Sequence, residues 1–359
     1  MGPRFDKRHR MQPRFCSIDA LRGLAVLLMI AQHVAFWVTA EMRGNWVVQV
    51  TGALGGLAAP LFVTLSGVGV ILLAQRHANS DRLSIIRGGI VIGLGYLMNA
   101  LTPHWFSMGS WYVLHMIGAA LIVAPLLRRA SDPLLLLLVV ATLALTAALQ
   151  TYLDTPLRLF NNTMAVPIKP GGVVRHALVE GFFPIFPWIA FFMAGLLAGR
   201  WLLGGRPGKI VRLAALLLGV MALLVALNAL DIGFARHDGW VRVFKLQPTF
   251  YPALTPISLL LISLSLFFIA LFWSYEKKFS MNPAGFMICL GRASLTFLIV
   301  HVVVIRESAH VLGFWKSMPA MTTVVTTATV LIFFSLVAVL WRQIHFRFGA
   351  EWLLRRAAG

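Results

Sequence analysis

Acidic side chains are scarce in this chain. Twelve Asp and Glu stand against 31 Lys and Arg in 359 residues, and charged residues of both signs make up only 12%. A soluble domain carries about 25% charged and about 45–50% apolar residues. With 59% hydrophobic residues and a mean hydropathy of +0.83, this chain is built to bury its surface in lipid. Cysteine is nearly absent: Cys16 and Cys289 both fall near expected cytoplasmic ends, which argues against a disulfide framework. No Cys/His cluster has zinc-like spacing, so no metal is expected. No cleavable-looking signal peptide leads the chain. Thirteen basic and polar residues precede Arg14, and the first apolar run is long enough to span, so it reads as an uncleaved signal anchor. No internal repeat is visible, which disfavours an inverted-repeat transporter.

What is abundant is long apolar runs. A bilayer core needs about 20 apolar residues per helix. Such runs lie at 20–40, 54–74, 86–102, 111–127, 133–150, 182–200, 211–230, 254–274, 288–305 and 320–341. The expected fold is an all-α polytopic membrane bundle of about ten transmembrane helices. Its parts are a basic cytoplasmic segment over 1–16, one transmembrane domain over 17–341 and a basic tail over 342–359.

The formal charge of +19 would suggest nucleic acid in a soluble protein. Here the cations sit in loops rather than on a helix face, and loop charge reports orientation. With the N-terminus inside, the inner segments hold 22 of the 31 Lys and Arg. That bias predicts N-in and C-in with an even number of helices, and no nucleic-acid partner. Two outer loops are long, from Thr151 to about Gly181 and from Asp231 to about Ala253. Asn161-Asn162-Thr163 in the first fits a glycosylation sequon. Gly52/Gly56, Gly89/Gly93 and Gly195/Gly199 are small-xxx-small pairs, which predict close helix packing.

The first span carries the chemistry-bearing residues. Arg22 and His33 are eleven residues apart, about 20° from full turns at 100° per residue, so they share a face and lie about 16 Å apart along the axis. Asp19 lies one turn below Arg22 and can pair with it. On the expected topology His115, Glu180 and His301 reach the same outer level as His33, and four such groups could line one polar cavity. A His there serves as general base or acyl carrier. At the inner level Arg22, Arg87 and Arg292 end three separate helices, and guanidinium forks suit phosphate. The bland alternative is that the arginines are snorkelling anchors and each His a packing residue. Ionisable groups inside a membrane are costly, however, and mark function by default. A donor with a phosphorylated head at the arginines and a flexible arm along the first helix would reach His33. The pantetheine arm of coenzyme A has a suitable length.

The run Ser17-Ile18-Asp19-Ala20-Leu21-Arg22-Gly23 to His33 resembles the first helix of the transmembrane acyltransferase superfamily. The likeness is nearest to the heparan-alpha-glucosaminide N-acetyltransferase catalytic-domain family of bacterial membrane proteins. Pro60-Leu61-Phe62 with Ser66-Gly67, Leu114-His115-Met116-Ile117-Gly118, Phe183-Pro184-Ile185-Phe186-Pro187-Trp188, and Gly291-Arg292-Ala293-Ser294-Leu295 with His301 are similar to further family segments, in the right order. His115 stands where a Gln is usual. The Arg-x10-His spacing also resembles the acyltransferase-three family. The lysosomal members of the heparan family place their catalytic His after the first helix, where this chain has Gly44, Asn45 and Trp46; His33 would take that role.

The resemblance implies transfer of an acyl group, acetyl by expectation, from cytoplasmic acetyl-CoA to a hydroxyl or amine of a saccharide-like acceptor at the outer face of a bacterial inner membrane. His33, Glu180 and His301 are the expected catalytic residues. Arg22, Asp19, Arg87, His115, Trp188, Arg292 and Ser294 are the expected substrate-binding residues. The sequence leaves room for a homo-oligomer. The rival reading is a multi-pass transporter of a small sugar or anionic metabolite, which would be marked by interrupted half-helices in symmetric positions.

Overall fold

The structure is a computed structural model that describes residues 15–103, 105–157, 172–230, 232, 238–249 and 251–357. The Asn161-Asn162-Thr163 sequon and the segment 1–14 lie outside the described residues. The described chain is helical. The elements are α1 (Cys16–Val38), α2 (Trp46–Gly55), α3 (Ala58–Arg76), α4 (Ser80–Leu101), α5 (Val113–Leu127) and α6 (Asp132–Tyr152). There follow α7 (Gly172–Arg175), α8 (Ile185–Leu203), α9 (Pro207–Ala229), α10 (Val241–Phe244) and α11 (Thr255–Lys278). The chain ends with α12 (Phe286–Arg292), α13 (Ser294–Val300), α14 (Glu307–Val311), α15 (Ala320–Trp341) and α16 (Ala350–Ala357). Wide π turns run over His176–Glu180 and His301–Arg306. Among the described residues nine helices are long and apolar enough to cross a membrane, and α5 is a shorter apolar helix. This is an all-α polytopic membrane bundle, with helical structure at each expected run, interrupted in the one at 288–305.

Two spans differ from expectation. The 54–74 run is α3 preceded by α2, which begins at Trp46 where the Asn45 side chain accepts from the Val47 N–H. The 288–305 run is broken at Ala293, whose φ of −123° and ψ of 26° separate α12 from α13. The span proper then runs from Ser294 to Val311. The break follows Gly291, where the backbone of α12 meets α1 so closely that a Cβ would lie 1.7 Å from the Asp19 carbonyl oxygen.

α1 is the central helix, packed against α2, α3, α11, α12 and α15. Without a hydrophobic drive between helices in lipid, close backbone approach supplies the packing. Gly195 faces the Thr64 carbonyl across the α3–α8 contact, and Gly199 packs on Ile71. Gly88 and Gly118 face each other's carbonyls across α4–α5. Gly89 and Gly93 meet nothing, and Gly52 meets only the Phe36 ring at 3.9 Å. So Gly195/Gly199 forms a tight contact and Gly89/Gly93 does not. On α4 the packing glycine is one position earlier, because the face toward α5 is set by Gly88 and Gly95.

Candidate active site

Two cavities lie along α1. One is lined by Asp19 and Arg22 of α1, Ser66, Gly69 and Arg76 of α3, Arg87 of α4, Arg292 of α12, Ser294 of α13 and Arg355 of α16. Its volume is about 590 Å³. The expected substrate-binding residues Asp19, Arg22, Arg87, Arg292 and Ser294 are therefore gathered around one space. Asp19 is 3% exposed and accepts from Arg22 Nη1 at 3.5 Å. Gly69 leaves room for the Arg22 guanidinium, whose Nη2 lies 3.2 Å from where a Cβ would stand. Arg87 Nε is buried with no hydrogen-bond partner. Glu351 of α16 also lines the cavity and accepts from the Leu295 N–H at 2.5 Å and from Thr296 Oγ1 at 2.6 Å. Burial pushes its carboxyl up, against the pull of the Thr296 and Leu295 hydrogen bonds.

The second cavity is smaller, about 90 Å³, and lies at the other end of α1's inward face. Its polar lining is Gln32, His33 and His301; Trp105, Phe106, Tyr112, Phe182 and Tyr251 are among its aromatic walls. His33 Nδ1 and His301 Nε2 are 2.9 Å apart. His301 Nδ1 lies 2.8 Å from the Phe297 carbonyl oxygen. A carbonyl only accepts, so His301 carries its proton on Nδ1 and its Nε2 accepts from His33 Nδ1. The lone pair not used within the pair is then that of His33 Nε2. The rings are held parallel, with centroids 5.2 Å apart and planes 10° apart. Trp37 stacks on both, at 5.2 Å from His33 and 5.8 Å from His301, and Trp105 meets His33 edge-on at 5.5 Å. Trp37 is fixed from behind by backbone bonds from Lys316 N to its carbonyl and from Met318 N to that of Val38, each 2.8 Å. His301 itself opens the π turn that breaks the regular helix after α13.

The remaining expected residues are placed elsewhere. Glu180 does not line either cavity. Its carboxylate accepts from Arg175 Nε and Nη2, each at 2.6 Å, and from Thr155 Oγ1 at 2.9 Å. It anchors the segment that carries Phe182 and Phe183 into the cavity wall, where the Phe182 N–H donates to the Trp111 carbonyl at 3.1 Å. The four-group polar level expected from the sequence is thus two groups, His33 and His301. His115 is fully buried against Gly95 and Tyr96 at the α4–α5 contact, and its Nδ1 accepts from the Tyr112 N–H at 3.3 Å. Trp188 is fully buried, stacked on Phe191 at 4.9 Å and edge-on to Phe183 at 4.6 Å. Neither His115 nor Trp188 lines either cavity, and both pack behind the walls.

Sequence reasoning passed over Gln32, Trp37 and Trp105 beside the His pair, and Arg76, Glu351 and Arg355 at the arginine cavity. Gln32 and Arg76 could have been found, since one adjoins His33 and the other closes a span as Arg87 and Arg292 do. Trp105, Glu351 and Arg355 reach their cavities only through tertiary packing.

A family model described as heparan-alpha-glucosaminide N-acetyltransferase, catalytic, matches residues 14–236. The match holds Asp19, Arg22, His33, Arg87, His115, Glu180 and Trp188; Arg292, Ser294 and His301 lie beyond it. No curated protein matches the chain.

Proposed function

From a chain that belongs to the heparan-alpha-glucosaminide N-acetyltransferase catalytic family, we infer a membrane acetyltransferase that takes its acyl group from acyl-CoA on the cytoplasmic side. It delivers the group to a hydroxyl or amine of a saccharide-like acceptor on the outer face of a bacterial inner membrane. The observation that carries this reading is the pairing of a five-arginine cavity and a His–His cavity on one helix, with Arg22 and His33 about 16 Å apart by helix rise.

Arg22, Arg76, Arg87, Arg292 and Arg355 offer guanidinium donors to the donor's phosphates. Asp19 orients Arg22. The arm then runs along α1 to bring the thioester to His33. The acceptor loses its proton to His33 Nε2 and attacks the thioester carbonyl. The new bond to the acyl carbon forms, the C–S bond breaks, and the CoA thiolate leaves. His301 Nε2 accepts the hydrogen bond of His33 Nδ1, so it favours the imidazolium that forms. The same nitrogen can instead hold the acetyl group first, as a covalent carrier.

The test is incubation of the purified protein with labelled acetyl-CoA and candidate glycan acceptors, following CoA release, for wild type and His33→Ala. Wild type should turn over and His33→Ala should lose at least 10²-fold in kcat. A wild type that neither binds nor consumes acetyl-CoA sinks the enzymatic reading. A His33→Ala variant as active as wild type sinks the site. Label retained on the protein without acceptor, and lost in His33→Ala, marks the carrier route.

A further inference from the structure

The chain after the last span does not hang away from the bundle. Beyond α15 it turns back, with Trp341 Nε1 donating to the Arg347 carbonyl at 2.9 Å. Phe346 is buried, and the Arg292 guanidinium lies 4.7 Å from its ring centre. The turn delivers α16 against α13 and α4. Three of its residues, Glu351, Leu354 and Arg355, line the arginine cavity. Glu351 ties the helix down through the Leu295 and Thr296 N–H groups and the Thr296 hydroxyl. The Ala350 N–H donates back to Thr296 Oγ1 at 2.8 Å.

Arg355 is thereby held on the wall of the same cavity as Arg87. Arg87 carries in addition a buried N–H with no hydrogen-bond partner. Like charges gathered around one space, with a desolvated donor among them, are unfavourable until an anion enters between them. The neighbouring Arg356 does not line the cavity; its guanidinium lies 5.3 Å from the half-buried Trp352 ring. The helix thus presents one cation to the cavity and one to the outside.

We propose that α16 is a lid on the donor cavity, latched to the start of α13 by Glu351 and carrying Arg355 onto the phosphates of the nucleotide end of acyl-CoA. This rests on the donor reading above. Glu351 is then a positioning residue and Arg355 a substrate-binding one. A donor that lacks the nucleotide escapes the lid. So the lid sets preference for the full coenzyme over its phosphate-free pantetheine fragment.

The experiment uses the full-length protein in detergent, with acetyl-CoA and acetyl-pantetheine as donors. Arg355→Ala should raise the KM for acetyl-CoA about tenfold with kcat within about twofold, and leave acetyl-pantetheine kinetics unchanged. Arg355→Lys should recover part of the loss, and Arg356→Ala should match wild type. Glu351→Ala should move the acetyl-CoA KM in the same direction. It should also make trypsin cut faster after Arg355 and Arg356, a cleavage that CoA slows in wild type. If wild type turns over acetyl-CoA and Arg355→Ala has the same KM, the lid is wrong and the donor reading stands. Equal losses with both donors make Arg355 merely structural, which also overturns the lid. If wild type neither binds CoA nor uses it, lid and donor reading fall together.

Discussion

At the scale of single residues, the His33–His301 contact decides which nitrogen does chemistry. The Phe297 carbonyl fixes the proton on His301 Nδ1, and that choice leaves His301 Nε2 to accept from His33. Take away the acceptor and His33 is free to flip or change tautomer, so Nε2 no longer points its lone pair at one place. His301→Phe keeps a ring against Trp37 and removes the acceptor, together with the Nδ1–H that donates to the Phe297 carbonyl. It should lower kcat by about 10²–10⁴-fold, by analogy with losing the orienting group of a triad. The KM for acetyl-CoA should hold, because the arginine cavity is a separate space on α1. A KM rise with kcat intact would show that His301 shapes binding instead. Glu180 makes a contrasting case. Its bidentate pair with Arg175 is 5% exposed on the carboxylate side, and breaking such a pair leaves an uncompensated charge at a cost of about 3–5 kcal/mol. Glu180→Gln should therefore show first as a lower unfolding temperature, with the activity of the protein that remains folded close to wild type.

At the scale of elements, glycine contacts hold the site-bearing helices at backbone distance. Gly291 presses on the Asp19 carbonyl and Gly23 on that of Met287, so α1 and α12 hold Asp19, Arg22 and Arg292 in one wall. A Cβ at either position meets backbone, which has no rotamer to yield. Gly291→Ala should cost about 1–3 kcal/mol or more by overpacking and weaken donor binding as Arg22 and Arg292 move apart. Gly89→Ala and Gly93→Ala, which meet nothing, should be neutral or slightly stabilising through helix propensity. Thermal unfolding in detergent separates the two classes. This contrast also marks what a sequence carries at this scale. Ten apolar runs were readable because lipid demands length and hydropathy together. The Gly89/Gly93 pair was misread because spacing shows that two glycines share a face but not which neighbour that face meets. The break at Ala293 and the π turn at His301 leave no periodic signature either, yet they aim Ser294 at one cavity and His301 at the other.

At the scale of the whole molecule, the question is what separates the two cavities. Arg22 and His33 were legible as one face of α1 by helix arithmetic alone, and Arg22, Arg87 and Arg292 were legible as span ends. The closing side chains were not, since they come from α3 and α13, far off in sequence. On α3 the lining passes from Phe62 in the His cavity to Ser66 in the arginine cavity, one turn or about 6 Å. On α13 it passes from Leu298 to Leu295, about 4.5 Å. A donor arm of the proposed kind must cross that turn, and the nucleotide need not. Ser66→Phe puts a ring into the crossing from the arginine side, where Ser66 Oγ now donates to the Val63 carbonyl at 2.6 Å. Acetyl transfer should fall at least 10²-fold, whereas 3′,5′-ADP, which carries the phosphates without the arm, should bind within about threefold of wild type by calorimetry. Loss of both would mean that the ring disrupts the arginine cavity itself, and Ser66→Val, which brings no ring, should then keep both. Retention of transfer by Ser66→Phe would mean that the arm takes another route, and the connection along α1 would have to be abandoned even with His33 and the arginines in their assigned roles.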